Sequence, residues 1–468
     1  MTFAADLVVR DVEVAGHPNQ DVALAQGRII AIGLQLAAKG PELDGQGGAL
    51  IPGLIDHHIH LFGLAAQAHS MVLDDLKSRA QFRRRMLERL SEHPLGSWVR
   101  ATGYHEAMAG DLDRDALDFI APNHRLRVQH QTGSLWILNS AALDAVCGSE
   151  PPPGVETDGQ GRPTGRVWRS DAWLRERIGA DAPPLAPIGR RLASFGITAV
   201  TDASVTTDQD TAGRLAQAVL TGELPLQLSL MSGGALEPPV DGGYRVGPVK
   251  ILLDDHALPQ LSQIIDAIGL ARVWRRSVAV HCVTAGELAI TLAAFGTAGS
   301  RPGDRIEHGG MIPREAIAVI AALGLTVVTQ PGFIRERGDR YLREIPAEEL
   351  GDLYRCGSLL QAGIPTAASS DAPYATPDPW IGIAAAIGRS SLKGRRLGSR
   401  ERLSAKAALG LYLGSLGDPG GAARRVSVGE RADICLLRAP LRDMLASPSA
   451  ENVRATLLGG EITYHAKS

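Results

Sequence analysis

Lysine is scarce in this chain. Only six of its 48 basic residues are Lys (Lys39, Lys77, Lys250, Lys393, Lys406 and Lys467), so each has a place that needs a reason. Cysteine is scarcer. Cys147, Cys282, Cys356 and Cys435 lie far apart with no CxxC pair, which excludes a zinc knuckle or disulfide scaffold and suits a reducing compartment. Charge of one sign is also lacking. A formal net charge of −3 offers no electrostatic ground for nucleic acid or an anionic membrane as partner. No stretch reaches ~18 uninterrupted apolar residues, so no membrane span is expected. The N-terminal MTFAADLVVRDVEVAG lacks the basic start and apolar core of a secretory signal. The cytoplasm is the expected location, a small molecule the expected partner, and a homodimer is allowed.

What is present is the composition of an ordinary globular protein, with 44% hydrophobic and 21% charged residues in 468. That length suits one (β/α)₈ barrel, typically ~250 residues before insertions, plus a smaller domain. The first 50 residues read as short strands (Asp6–Val14, Val22–Leu24, Arg28–Ile32) with Gly27 and Gly33 as punctuation. The far end reads alike, in Ala432–Leu437, Val453–Leu458 and Glu461–Tyr464. Neither end can form a sheet core alone, so residues 1–50 and 424–468 are expected to pair into a small β-sandwich.

Between them, over 51–423, short apolar runs alternate with helical stretches, the pattern of parallel strands covered by helices. Eight barrel strands are expected near Leu54–His58, Thr198–Asp202, Leu226–Met231, Val249–Leu253, Val278–Cys282, Arg305–His308, Thr326–Gln330 and Thr366–Asp371. Helices are expected over Leu258–Trp274, Ala285–Phe295 and Arg314–Leu323. About 130 residues separate the first two strands, far more than a βα connection needs. Residues 62–191 therefore read as an inserted subdomain or lid, with strands Trp98–Gly103 and Leu126–Gln131 and helices Leu76–Leu90 and Ser140–Ala145. Pro151–Pro153 and Ala182–Pro187 read as loops.

The sharpest chemical signal is Pro52-Gly53-Leu54-Ile55-Asp56-His57-His58-Ile59-His60. Strand residues i and i+2 share a face, so His58 and His60 can aim at one ion from the strand's C-terminal end, where barrel active sites lie. His281 and His308 end two further apolar strands. A single strand-end histidine is ordinarily a packed or surface residue. Two on consecutive strands after an HxH strand point to converging imidazole ligands, which suit Zn²⁺. Cys282 follows His281 and should face away, as packing. Asp371 ends the last strand and has two candidate roles, metal ligand and proton acceptor; the bland alternatives are a helix cap or a salt bridge. Asp56 and Glu307 are candidates to fix the imidazoles.

Lys250 sits inside the apolar run Gly247–Leu253. A buried lysine is costly unless paired or neutralised. Two solutions are open: a salt bridge to Asp254, Asp255 or Asp202, or carboxylation by CO₂ to give a carboxylate that bridges two metals.

Taken together, these residues resemble the amidohydrolase superfamily essentially end to end. Within it the chain is most similar to the family-3 branch, the YtcJ-like and N-substituted formamide deformylase-like proteins. The supporting stretches are Leu135-Trp136-Ile137-Leu138-Asn139-Ser140-Ala141-Ala142-Leu143, Gly161-Arg162-Pro163-Thr164-Gly165, Gln330-Pro331 and Ser370-Asp371-Ala372-Pro373. The resemblance implies a site for one or two Zn²⁺, with Mn²⁺ or Co²⁺ as alternatives. His58 and His60 would hold the more buried metal with Asp371, His281 and His308 the second, and a carboxylated Lys250 would bridge them. It implies hydrolysis of a C–N bond (amide, N-acyl or N-formyl) by a metal-activated hydroxide, with Asp371 as proton shuttle.

Three features depart from the pattern: Ser134 where a His is common, Asp254-Asp255-His256 where Asp-Gly is usual, and His57. They are expected to touch substrate or the lid. Tyr104, His105, Trp136, Trp168, Arg169 and Tyr374 are the expected substrate contacts. A deaminase or cyclic amide or urea hydrolase is the alternative, but barrel deaminases often place Glu three residues after the fifth-strand His. Here that position is Thr284, and Glu287 comes a turn late. A non-catalytic binding protein would be expected to have lost a ligand, and none is lost.

Overall fold

The computed structural model describes residues 3–68, 70–73, 76–147, 154–179 and 183–466. The expected loop at Pro151–Pro153, and Ala182 of the second loop, lie outside them. Eight strands form one parallel sheet: β1 (Leu54–Ile59), β2 (Ile197–Asp202), β3 (Gln227–Ser232), β4 (Arg245–Ile251), β5 (Val278–Cys282), β6 (Arg305–His308), β7 (Thr326–Thr329) and β8 (Thr366–Ala368). They pair in that order, β1 to β8. β1, β2, β6, β7 and β8 are buried along their whole length, as parallel strands with both faces covered must be. That is why they read as near-continuous apolar runs. Helices follow strands as expected: Leu261–Val273, Ala285–Ala298 and Ala316–Ala322 bury Ile264, Ile268, Leu288, Phe295 and Ile320 against β4 to β7.

How the sheet closes matters for the site. At the C-terminal end of the strands, Asp371 N–H donates to His58 O at 2.8 Å, and His60 N–H to Ala372 O at 2.8 Å. Further down, the Leu411–Tyr412 segment fills the seam. Ala368 N–H donates to Leu411 O at 2.9 Å, and Ile55 N–H to Tyr412 O at 3.0 Å. The seam thus joins the first and last strands, and the backbone bonds that close it are made by the residues predicted to be ligands. The fold is a TIM-like α/β barrel.

Both chain ends pair in one sheet. Its order runs Glu461–His465, Val453–Leu458, Ile434–Leu437, Ala49–Pro52, Leu7–Val14, His17–Ala25, Arg28–Gly33, with Glu42–Asp44 also on Leu7–Val14. Ala49–Pro52 is the link between ends: Leu50 faces Leu436 and Pro52 faces Ile434. Gly48 precedes it because a Cβ there would lie 1.9 Å from Leu437 O. The two ends form this single eight-stranded sheet, accompanied by a two-stranded Phe3–Ala4/Ala38–Lys39 ladder. Among the described residues, no helix is long and apolar enough to cross a membrane.

Phe62–Pro184 is a compact unit of its own. Its six-stranded sheet runs Val155–Thr157, Pro163–Trp168, Leu135–Leu138, Arg125–His130, Trp98–Tyr104, Met71–Val72, over a core that includes Phe82, Met86, Leu117 and Leu126. The unit ends at Pro184 because helix Ala186–Ser194 turns Ile188 and Leu192 inward against the barrel and terminal sheet. Two stretches that carry the family resemblance are structural here. Asn139 caps helix Ser140–Val146, accepts from Leu126 N–H, and donates to Ala121 O and His124 O, which satisfies its whole amide. Gly165 has φ +92°, and a Cβ would lie 2.4 Å from Leu138 O.

Candidate metal centre

The site is built from strand ends. Asp56 and His58 share one face of β1, and His60 follows just past the strand. His57 faces the other way. It is fully buried, neither ring nitrogen has a hydrogen-bond partner, and burial drives its pKa down to about 3. This corrects the expectation that His57 reaches substrate or lid: it is packing behind the strand.

His58, His308 and Asp371 bring one ligand atom each to within 4.8 Å of one another. Asp371 Oδ1 lies 3.5 Å from His58 Nε2 and 3.3 Å from His60 Nε2, and its Oδ2 lies 3.8 Å from His308 Nδ1. The rings of His58 and His308 stand 4.7 Å apart, and those of His281 and His308 4.5 Å. His281 therefore reaches the cluster through His308. Both His308 (φ +70°) and Asp371 (φ +57°) sit in the left-handed region. That region is sparsely used by residues other than Gly, Asn and Asp, and such backbone tends to mark functional sites. Here it turns each candidate ligand sharply at its strand end.

Neighbours fix the rings. His58 Nδ1 donates to the buried Glu307 carboxylate, which also holds Arg305. His308 Nδ1 donates to Gln330 Oε1 at 3.0 Å, and Gln330 Nε2 donates to Ser369 Oγ at 2.9 Å. His60 Nδ1 is 3.1 Å from Ser204 Oγ. Asp56 accepts from His58 N–H, Ser370 N–H and Ser370 Oγ–H, which pins the end of the last strand segment to the first. Burial lifts its pKa to about 6. Ser204 and Arg305 were not singled out from sequence, and Gln330 only within a stretch that carries the family resemblance. For Gln330 the signal was its place directly after β7. Nothing local marked the other two. Replacing Glu307 by Gln is expected to weaken Zn²⁺ binding about 10- to 100-fold, as loss of such a ring-orienting carboxylate does elsewhere. Titration of the metal-free variant with Zn²⁺ measures it, and wild-type affinity would remove Glu307 from this role.

Burial, with the Lys250 charge as a further cause, keeps the imidazoles neutral. It drives His58 and His308 well below the ordinary histidine range and His281 to about 3. A neutral ring keeps a lone pair for a cation. Lys250 is 4% exposed, and its Nζ has no hydrogen-bond partner. The salt-bridge alternative is thereby corrected. Asp202 accepts from Leu61 N–H and Ser204 N–H, Asp254 from His256 N–H, and Asp255 from Thr284 Oγ–H. Each candidate partner is taken locally. Burial lowers the Lys250 pKa to about 8. Cys282 is buried against Thr291 with its thiol pushed up to about 12, so it is packing and no thiolate ligand.

Three buried polar atoms of this cluster, His58 Nε2, Asp371 Oδ1 and Lys250 Nζ, have no hydrogen-bond partner. An unsatisfied buried polar atom costs about 1–3 kcal/mol, so three together fit a site prepared for a bound group. Neutral imidazoles and a carboxylate are the donors Zn²⁺-like ions take.

Of the expected substrate contacts, Tyr374 lies beside this cluster, its ring 5.8 Å from His60 and edge-on. The other five belong to the Phe62–Pro184 unit. Two are corrected to packing residues. Tyr104 is fully buried with its hydroxyl donating to Gly110 O, and Trp136 is 4% exposed with Nε1–H donating to Asp171 at 2.7 Å. His105 caps the turn Glu106–Ala109. Trp168 is 39% exposed and donates to Glu156. Arg169 is exposed, its N–H on Ser134 O. The deaminase position is also accounted for. Thr284 caps helix Ala285–Ala298, and Glu287 completes the capping box by accepting from Val283 and Thr284 N–H at 2.7 and 2.9 Å. Glu287 is therefore engaged in folding its own helix.

The amidohydrolase family profile matches residues 42–464. The N-substituted formamide deformylase of Arthrobacter pascens is 27% identical over 542 aligned positions, covering 99% of each chain. The putative amidohydrolase YtcJ of Bacillus subtilis (strain 168) is 24% identical over 485, covering 90% of each. Among solved structures, an uncharacterized metal-dependent hydrolase from Pyrococcus horikoshii OT3 superposes with a TM-score of 0.72 at 19% identity, over 92% of this chain and 97% of that one. Strand-end histidines around an aspartate, on a TIM-like barrel matched almost end to end, place this chain in the amidohydrolase family, enzymes acting on carbon–nitrogen bonds other than peptide bonds.

Proposed function

We propose that this protein hydrolyses an amide, N-acyl or N-formyl C–N bond of a small molecule at a divalent-metal site. The reading rests on one observation above all: His58, His308 and Asp371 converge while His58 Nε2 and Asp371 Oδ1 stay buried and unpartnered. His58, His60 and Asp371 would hold one Zn²⁺, His281 and His308 a second, with a carboxylated Lys250 between them. The ion would supply Lewis acidity, acidifying water and polarising the substrate carbonyl.

The chain's own groups do the rest. Asp371 Oδ1, which accepts no hydrogen bond from the protein, accepts a proton from the attacking water and later delivers it to the leaving nitrogen. Glu307 and Gln330 hold the His58 and His308 rings so that their other nitrogens stay unprotonated. The neutral fraction of Lys250, raised by its lowered pKa, is the nucleophile that CO₂ needs to form a carbamate. Water and the amide give one carboxylic acid and one amine.

The test is direct. Protein purified without chelator is assayed for metal by plasma mass spectrometry, then stripped and reloaded with Zn²⁺, Mn²⁺ or Co²⁺. N-formyl amines come first in the substrate screen because the Arthrobacter relative is named for them. The expected result is about two ions per chain, and activity that is lost on stripping and returns on reloading. Metal-free protein as purified, with no gain on reloading, would overturn the reading.

A further inference from the structure

One cation beside this centre makes no ion pair among the described residues. Arg337 lies on helix Gly332–Glu344, which follows β7 after Gln330-Pro331. Its guanidinium carbon sits 3.8 Å over the centroid of the Phe333 ring, one helical turn back. Its Nη2 donates to Tyr374 O at 2.7 Å. Tyr374 N–H in turn donates to Asp371 O at 2.9 Å, and the Tyr374 ring stands edge-on to His60. The guanidinium thus rests on the turn that leads out of Asp371.

Other arginines of this part of the chain are paired: Arg340 with Glu344, Arg355 with Asp352 and Glu401, Arg395 with Asp339. Arg337 makes no ion pair among the described residues, and Asp371 is the one carboxylate among the groups that act most strongly on it. None of its nitrogens is both sealed from solvent and unpartnered, and the buried Tyr341 hydroxyl is a further neutral partner. A partly desolvated guanidinium costs free energy unless an anion meets it. The stack on Phe333 covers one face of it and leaves the edges, where a carboxylate binds in a fork. With Asp371 committed to a cation, no carboxylate among the described residues is left to pair with Arg337.

We propose that Arg337 is a specificity-determining residue that receives an anionic group of the substrate, so that the C–N bond cleaved belongs to an amide whose acyl or amine part bears a carboxylate. This rests on the hydrolase reading above and narrows it. Phe333 is 2% exposed, so it backs the guanidinium and leaves substrate contact to Arg337 and to the half-exposed Tyr374.

Two measurements on the metal-loaded full chain separate this proposal from the reading beneath it. The first is calorimetric binding of phenylacetate against its neutral isostere phenylacetamide. Wild type is expected to prefer the carboxylate by about tenfold or more, with Arg337→Gln losing that preference and Arg337→Lys restoring part of it. Equal affinities in wild type, no carboxylate binding, or a preference that survives in Arg337→Gln (as binding to the metal alone would give) overturns the proposal. The second compares kcat/KM for N-formylphenylalanine and N-formylphenethylamine. A wild-type ratio favouring the acid, falling about tenfold or more in Arg337→Gln, supports it; a ratio at or below one opposes it. Hydrolysis of neither, with the carboxylate preference intact, would sink the hydrolase reading and leave Arg337 as an anion site.

Discussion

Asp371→Asn is expected to lower kcat about 10²- to 10⁴-fold, the range a positioned proton acceptor contributes, while the fold survives. Asn keeps the size of the side chain and tolerates the left-handed backbone (φ +57° at this position) better than other non-Gly residues. It also keeps the backbone N–H that donates to His58 O across the seam. What it loses is the charge between His58, His60 and His308, and the lone pair that takes a proton. Steady-state kinetics with a metal assay and thermal melting separate these effects. Melting within a few degrees of wild type with kcat collapsed is the expected pair of results. A fully active variant would remove Asp371 from the proton shuttle. A variant that also fails to fold would show that the carboxylate is needed to hold the seam.

Lys250→Met is expected to act in opposite directions on stability and on activity. In the metal-free chain the amine is buried without a partner, and its pKa falls from 10.5 to about 8. The unfolded chain holds this proton up to its ordinary pKa, whereas the folded chain releases it near 8. Stability therefore rises with pH across that window, by about 3 kcal/mol in all if each pKa unit is worth ~1.4 kcal/mol. Below pH 8 the folded state bears the full cost of the buried ammonium. Met has a similar length and no charge, so the metal-free variant should be more stable at pH 7 by that order and should lose this pH dependence. Urea unfolding in CO₂-free buffer at pH 7 and pH 10 measures both. With metal present the sign reverses: the variant should hold fewer ions and turn over slowly, because nothing can bridge them. Equal stability of the two metal-free proteins would mean that Lys250 is satisfied in the folded chain, and the carbamate reading would lose its physical basis.

Much of the barrel was legible because its signals are local. Strands β5 and β6 lie at Val278–Cys282 and Arg305–His308, as their apolar runs predict, and every other barrel strand overlaps its expected position. The two-residue period of a strand was enough to set His58 apart from His57, although only burial showed what His57 does. The insert was harder to read. Tyr104 and Trp136 are aromatic residues near turns, and nothing in their neighbours tells a substrate contact from a core residue. The core that claims them comes from strands far apart in the chain.

The chain's sequence by itself determined the candidate ligand types, the strand ends that carry them and the family, since each depends on residue identity over a few positions. Only the tertiary structure decided which atoms meet. Glu307 reaches His58 across 249 residues, Ser204 reaches His60 across 144, and Asp56 holds Ser370 across 314. The physical reason is the closed barrel. Residues from its first and last strands become neighbours only when the seam forms, and strand register then sets which lone pairs are left without a partner.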